Sequence, residues 1–110
     1  MDSYMRKCSN QGEYVSMGEG IRRKTLVYGD NTVMCRFEFD KGVMVPLHSH
    51  IYEQTGYLLQ GKVLFTIDGM RHEMNTGDSW CIKGNVEHSA EMLEETILIE
   101  IFSPLRYDYI

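Results

Sequence analysis

The sequence predicts an all-β fold, a small closed barrel of jelly-roll type, and three observations predict it. Short runs of alternating apolar and polar residues recur along most of the chain, the pattern by which a strand turns one side to a core and the other to water. Clusters of Gly, Asn and Asp punctuate these runs at regular spacing, and no stretch sustains a helical period. The 110 residues suffice for one core and leave no room for a second. Closing the sheet on itself protects its edges and leaves an interior wide enough for side chains or one small ligand.

Residues 1–19 are polar, contain Gly12 and Gly18 and show no sustained period. They read as an N-terminal arm, compatible with a short strand at its end and with packing on a second subunit. Residues 20–110 read as the domain. Its first strand is Ile21 to Tyr28, closed by the turn residues Gly29-Asp30-Asn31. Thr32 to Phe39 alternates cleanly, with Val33, Cys35, Phe37 and Phe39 inward and Met34, Arg36 and Glu38 outward. Asp40-Lys41-Gly42 turns the chain into Val43 to His50, where Pro46 implies an edge or a bulge. Gln54 to Leu59 follows, then Lys62 to Ile67 with Val63, Phe65 and Ile67 inward. Asp68-Gly69 is a two-residue hairpin signal leading into the short Met70 to Met74. Ser79 to Ile82, Val86 to Met92 and the apolar Thr96 to Phe102 complete the series.

Composition excludes several functions. A net charge of −5 argues against a nucleic-acid surface. No apolar run has the length of a membrane helix, and Met1-Asp-Ser-Tyr-Met-Arg-Lys lacks the apolar core of a secretory signal, so the expected location is the cytoplasm, with no membrane partner. Cys8, Cys35 and Cys81 form no CxxC and leave an odd thiol, so they read as buried or half-buried free thiols in strands.

The chemistry concentrates in Gly42-Val-Met-Val-Pro-Leu-His48-Ser-His50-Ile-Tyr-Glu53-Gln54. On a strand, residues two apart share a face, so His48 and His50 present two imidazoles side by side. Gln54 follows after room for a bend, and His88 comes from the later stretch Gly77-Asp-Ser-Trp-Cys-Ile-Lys-Gly-Asn-Val-Glu-His88. Parity places Gln54 on the histidine face and Glu53, the rival ligand, on the other, unless a bend reverses them. Three histidines and an oxygen donor leave positions open for water or substrate, as a catalytic site requires. His72 fits no ligand position and reads as a surface residue.

These stretches resemble the two motifs of the cupin superfamily. The first is Gly, five residues, His-x-His, three or four residues, Glu, six residues, Gly. Gly42, His48, His50 and Gly61 fit it, with Gln54 at the Glu position. The second is Gly, five residues, Pro-x-Gly, two residues, His. Gly77 and His88 fit it, with Lys83 and Asn85 replacing Pro and Gly. The resemblance implies a cupin-type double-stranded β-helix holding a divalent metal ion (Ni, Zn, Fe, Mn or Co) on His48, His50, Gln54 and His88, and a homodimer by analogy with other small cupins. An amide in place of a carboxylate leaves the cation its full charge, which suits Lewis-acid work better than oxygen chemistry.

From about Gly20 to Ile110 the resemblance narrows. The strand Gly20-Ile-Arg-Arg-Lys-Thr-Leu-Val-Tyr-Gly29, the His-Ser-His-x-x-Glu-Gln segment and the tail Ile99-Glu-Ile-Phe-Ser-Pro-Leu-Arg-Tyr-Asp-Tyr109 look like those of cupins that act on unsaturated uronates in pectin and alginate breakdown. That group converts a cyclic 4,5-unsaturated monouronate to its linear keto form. Carried over, the resemblance makes Glu100 the catalytic acid where that group has Asp, Phe102 a substrate-binding wall, and Arg106 the arginine that binds the sugar acid and takes part in catalysis. The reading is an isomerising enzyme of uronate metabolism. The alternatives are another metal-cupin enzyme, such as a dioxygenase, and a non-catalytic sugar-acid-binding cupin.

Overall fold

Alternation along the chain becomes two facing antiparallel sheets in the computed structural model, which describes residues 3–110. The strands are β1 (Tyr14–Gly18), β2 (Ile21–Tyr28), β3 (Val33–Phe39), β4 (Met44–His48), β5 (Glu53–Gln60), β6 (Lys62–Ile67), β7 (Met70–Asn75), β8 (Ser79–Ile82), β9 (His88–Met92) and β10 (Thr96–Ser103). A 3₁₀ turn, Tyr107–Tyr109, closes the chain. The larger sheet runs β1-β2-β3-β10-β5-β8 and the smaller β4-β9-β6-β7. This is the all-β jelly-roll architecture that the alternation predicts. Among the described residues no helix is long and apolar enough to cross a membrane.

The arm carries β1, which pairs antiparallel with β2 and adds an exposed edge to the larger sheet. The first two residues of the arm lie outside the described residues. In β3 the residues Val33, Cys35, Phe37 and Phe39 are buried and their neighbours half-buried, as alternation requires. β10 behaves likewise: Thr96, Leu98, Glu100 and Phe102 face inward. Val63 and Phe65 enter the core from the smaller sheet, with Ile67 half-buried beside them. The Asp68-Gly69 turn joins β6 to β7 with Asp68 at φ 50, as this dipeptide favours.

The histidine-bearing strand is shorter than its sequence run. β4 is the edge of the smaller sheet, and its register to β9 shifts between Val45 and His48. Pro46 lies in that shift, because a proline has no N–H for the ladder. Pairing resumes at His48, opposite His88, and His50 stands just beyond the strand.

Leu58 is fully buried between the sheets, whereas its neighbour Leu59 is 40% exposed. Leu58→Ala is expected to cost about 2–5 kcal/mol of stability and Leu59→Ala less than about 0.5 kcal/mol, read from urea denaturation.

Candidate functional site

Each sheet contributes one wall of a cavity of about 270 Å³. His48, His50 and His88 line it from the side of the smaller sheet, and Gln54, Glu100 and Phe102 from the larger. Arg106, beyond β10, reaches the same cavity. The seven residues to which the sequence assigned a ligand, substrate or catalytic role (His48, His50, Gln54, His88, Glu100, Phe102 and Arg106) therefore meet in one space, which is the size of a small ligand.

The imidazoles come together through cross-strand pairing. His48 and His88 are register partners across β4 and β9, and their ring centroids are 4.2 Å apart. His50 lies 5.6 Å from His48 and 5.1 Å from His88. The two loops that carry the motifs are docked on each other. The Asn85 N–H donates to the His50 carbonyl at 2.6 Å. Gly84 permits this approach, because a Cβ there would lie 2.4 Å from the Ile51 carbonyl oxygen. Asn85 adopts φ 67, a left-handed conformation that Asn tolerates better than most residues, so it can stand where cupins usually have Gly.

The donor set fits a divalent cation. One nitrogen from each of the three histidines lies within 4.8 Å of the others. His48 Nδ1 is 2.8 Å from the Pro46 carbonyl and His88 Nδ1 is 2.9 Å from that of Val86. A carbonyl only accepts, so each ring carries its proton on Nδ1 and turns the Nε2 lone pair elsewhere, as a metal-binding imidazole must. Burial lowers the pKa of His50 and His88, with further lowering from the nearby cationic groups, which keeps both rings neutral. The His50 Nδ1 is buried without a partner among the described residues.

Gln54 is buried and faces the cavity, whereas Glu53 is exposed on the opposite side of β5. The Gln54 Nε2 donates to Glu100 Oε2 at 2.6 Å, and the Trp80 indole Nε1 donates to the same oxygen at 3.0 Å. With its nitrogen engaged, Gln54 has its carbonyl oxygen left to offer a cation. Glu100 Oε2 is likewise occupied by two donors, so a proton on this carboxyl belongs on Oε1. Burial raises the Glu100 pKa to about 7, against the lowering effect of Trp80, Gln54 and Arg106. A carboxyl poised there can both take and give a proton near neutrality.

Arg106 is held by aromatic faces. Its Cζ lies 3.9 Å from the Tyr109 ring centroid and 5.0 Å from those of Tyr52 and Phe102. Its Nε is 3.3 Å from Asp108 Oδ1. Stacking and the Asp108 contact fix the guanidinium plane and leave its terminal nitrogens for a bidentate carboxylate. Phe102 also packs against His50, with centroids 6.0 Å apart. His72 is exposed on β7, away from the cavity.

Four residues of this region escaped the sequence reading: Trp80, Tyr52, Tyr109 and Arg23. Arg23 is buried, its guanidinium is 4.4 Å from the Tyr109 centroid, and its Nε has no partner among the described residues. A polar residue on the inward parity of β2 was a signal for it. The other three act through register, the loop before β5 and the closing turn, which leave no local motif.

Comparison with known proteins agrees with this geometry. The family model described as the cupin domain matches residues 35–102. The pectin degradation protein KdgF of Dickeya dadantii (strain 3937) is 34% identical over 96 residues, covering 86% of this chain and 87% of that protein. An RmlC-like cupin from Shewanella frigidimarina NCIMB 400 superposes with a TM-score of 0.91 at 30% identity, covering 98% of this chain and 97% of the other. The structure of KdgF from Halomonas sp. superposes equally well, TM-score 0.91, at 24% identity over 98% of this chain and 100% of that one.

Two outcomes are expected. His88→Ala should weaken divalent-cation binding at least about a hundredfold in calorimetric titration, because even groups that merely orient a ligand are worth ten- to a hundredfold. In the cation-free protein, Glu100 holds its proton more tightly folded, near pH 7, than unfolded, near 4.5. The stability this supplies is complete below pH 4.5 and is lost as the pH rises through 7. Glu100→Gln should flatten that slope in melting curves taken between about pH 5 and 8.

Proposed function

The chain belongs to the cupin domain family, and from that premise we propose that it is a metal-dependent enzyme of pectin breakdown that converts a cyclic 4,5-unsaturated monouronate, or a related sugar acid, to its linear keto form. Support comes from the relative named for pectin degradation, which matches over most of both chains. The observation that carries the reaction is chemical. One cavity gathers three imidazoles, an amide, a buried carboxyl with a pKa of about 7 and an aromatic-clamped arginine.

The substrate is a cyclic enol ether bearing a carboxylate. Arg106 holds that carboxylate with two parallel hydrogen bonds, a geometry lysine cannot match. Phe102 covers the sugar ring and keeps water from the reacting carbon. Glu100 Oε1 accepts the proton of the anomeric hydroxyl as the ring C–O bond breaks, leaving an open-chain aldehyde and an enolate. The same oxygen returns that proton to carbon as the enolate becomes a ketone, so the sum is an isomerisation with no co-reactant. When bound on His48, His50, His88 and Gln54, a divalent cation supplies Lewis acidity that stabilises developing negative charge on the substrate oxygens. The neutral donor set favours this role over oxygen activation.

Glu100→Gln is expected to lower kcat by about 10²–10⁴-fold with KM little changed. Arg106→Lys should instead raise KM by at least about tenfold. Both follow from NMR time courses on unsaturated galacturonate and mannuronate. Metal-loaded wild type that leaves these sugars unchanged removes the assignment.

A further inference from the structure

Trp80, Gly56 and Glu100 stand in one row across three neighbouring strands, β8, β5 and β10. Gly56 is the register partner of Trp80 on one side and of Glu100 on the other. The two outer residues are two strands apart, too far for ordinary cross-strand contact. They touch because the middle position is bare. A Cβ on Gly56 would lie 2.2–2.4 Å from the Trp80 ring atoms Cε2, Cζ2 and Nε1, so the indole lies flat over the Gly56 backbone. That placement brings its N–H to 3.0 Å from Glu100 Oε2. Phe65 of the facing sheet packs on the indole, with centroids 4.9 Å apart, and keeps it there. Trp80 is absent from the cavity lining, so it acts on a ligand only through Glu100.

We propose that Trp80 is the positioning residue of this site: crossing Gly56, it holds Glu100 Oε2 against the wall, so that Oε1 faces the cavity and Gln54 Nε2 is drawn to the same oxygen. Without the indole donor the carboxyl can rotate and offer either oxygen. Gly56 is then as much a part of the device as Trp80, because any side chain there lifts the indole off the row.

The kinetic arm of this inference rests on the proposed isomerisation; the geometric arm does not. Trp80 is the only tryptophan in the chain, so a ¹H–¹⁵N spectrum contains one indole cross-peak. Glu100→Ala is expected to shift that peak upfield and speed its solvent exchange at least about tenfold, the equivalent of one lost hydrogen bond to a charged group. Trp80→Phe keeps a ring over Gly56 and removes only the donor. It is expected to lower kcat about tenfold with KM within about twofold, and Gly56→Ala should reproduce that loss without adding to it in the double variant. An indole peak indifferent to Glu100→Ala overturns the proposal. So does a Trp80→Phe protein with full kcat, or one whose loss lies in KM alone. A wild type inactive on unsaturated monouronates refutes the substrate reading, and the indole peak then decides the proposal by itself. The same peak decides it where Gly56→Ala fails to fold.

Discussion

A carboxyl group sealed inside an apolar barrel must be matched by donors, and the Glu100 carboxyl is that group here. It is 8% exposed, yet two N–H donors from different strands converge on one of its oxygens. Leaving such a group unmatched costs several kcal/mol, and burial otherwise drives it to the neutral form. The surrounding residues follow from this need. β5 supplies an amide at position 54 and nothing at 56, β8 supplies the indole, and β10 carries the acid between the core residues Leu98 and Phe102.

Most of the fold was legible because its causes are local. Alternation in β3 and β10 reports which face meets the core, and Asp68-Gly69 reports a hairpin without reference to anything distant. The histidines were legible for the same reason: i and i+2 on a strand share a face, and the spacing to His88 follows a known motif. Pro46 foretold the register shift in β4, though not that pairing would stop at His48 and leave His50 beyond it.

What sequence could not show depends on register between distant strands. Trp80 meets Glu100 only because both align with Gly56, a relation set by how far β8 and β10 slide against β5. The aromatic clamp on Arg106 is similar. Tyr52, Phe102 and Tyr109 come from the loop before β5, from β10 and from the closing turn. Arg23 also stacks on Tyr109. A guanidinium cannot shed its charge as a buried lysine can, so an aromatic face helps to hold it where none of the described residues forms an ion pair with it.

The departures from the usual cupin pattern also explain one another. A glutamate at 54 would set a second carboxylate 2.6 Å from the oxygen that Gln54 Nε2 now meets. Two carboxylates at that distance share a proton, and one is held neutral well above its ordinary pKa. The acid would then lose its poise near neutrality. An amide avoids the conflict by donating to Glu100 while keeping a carbonyl oxygen for a cation. The longer arm of Glu100 belongs to the same solution, since it carries the carboxyl to where amide and indole can both reach one oxygen. Charge balance completes the argument. Three imidazoles and an amide would leave a divalent cation held there uncompensated except by Glu100, and Arg106 adds a further positive charge. A cavity with that excess favours an anion, and the clamped guanidinium favours one with a planar, two-oxygen head.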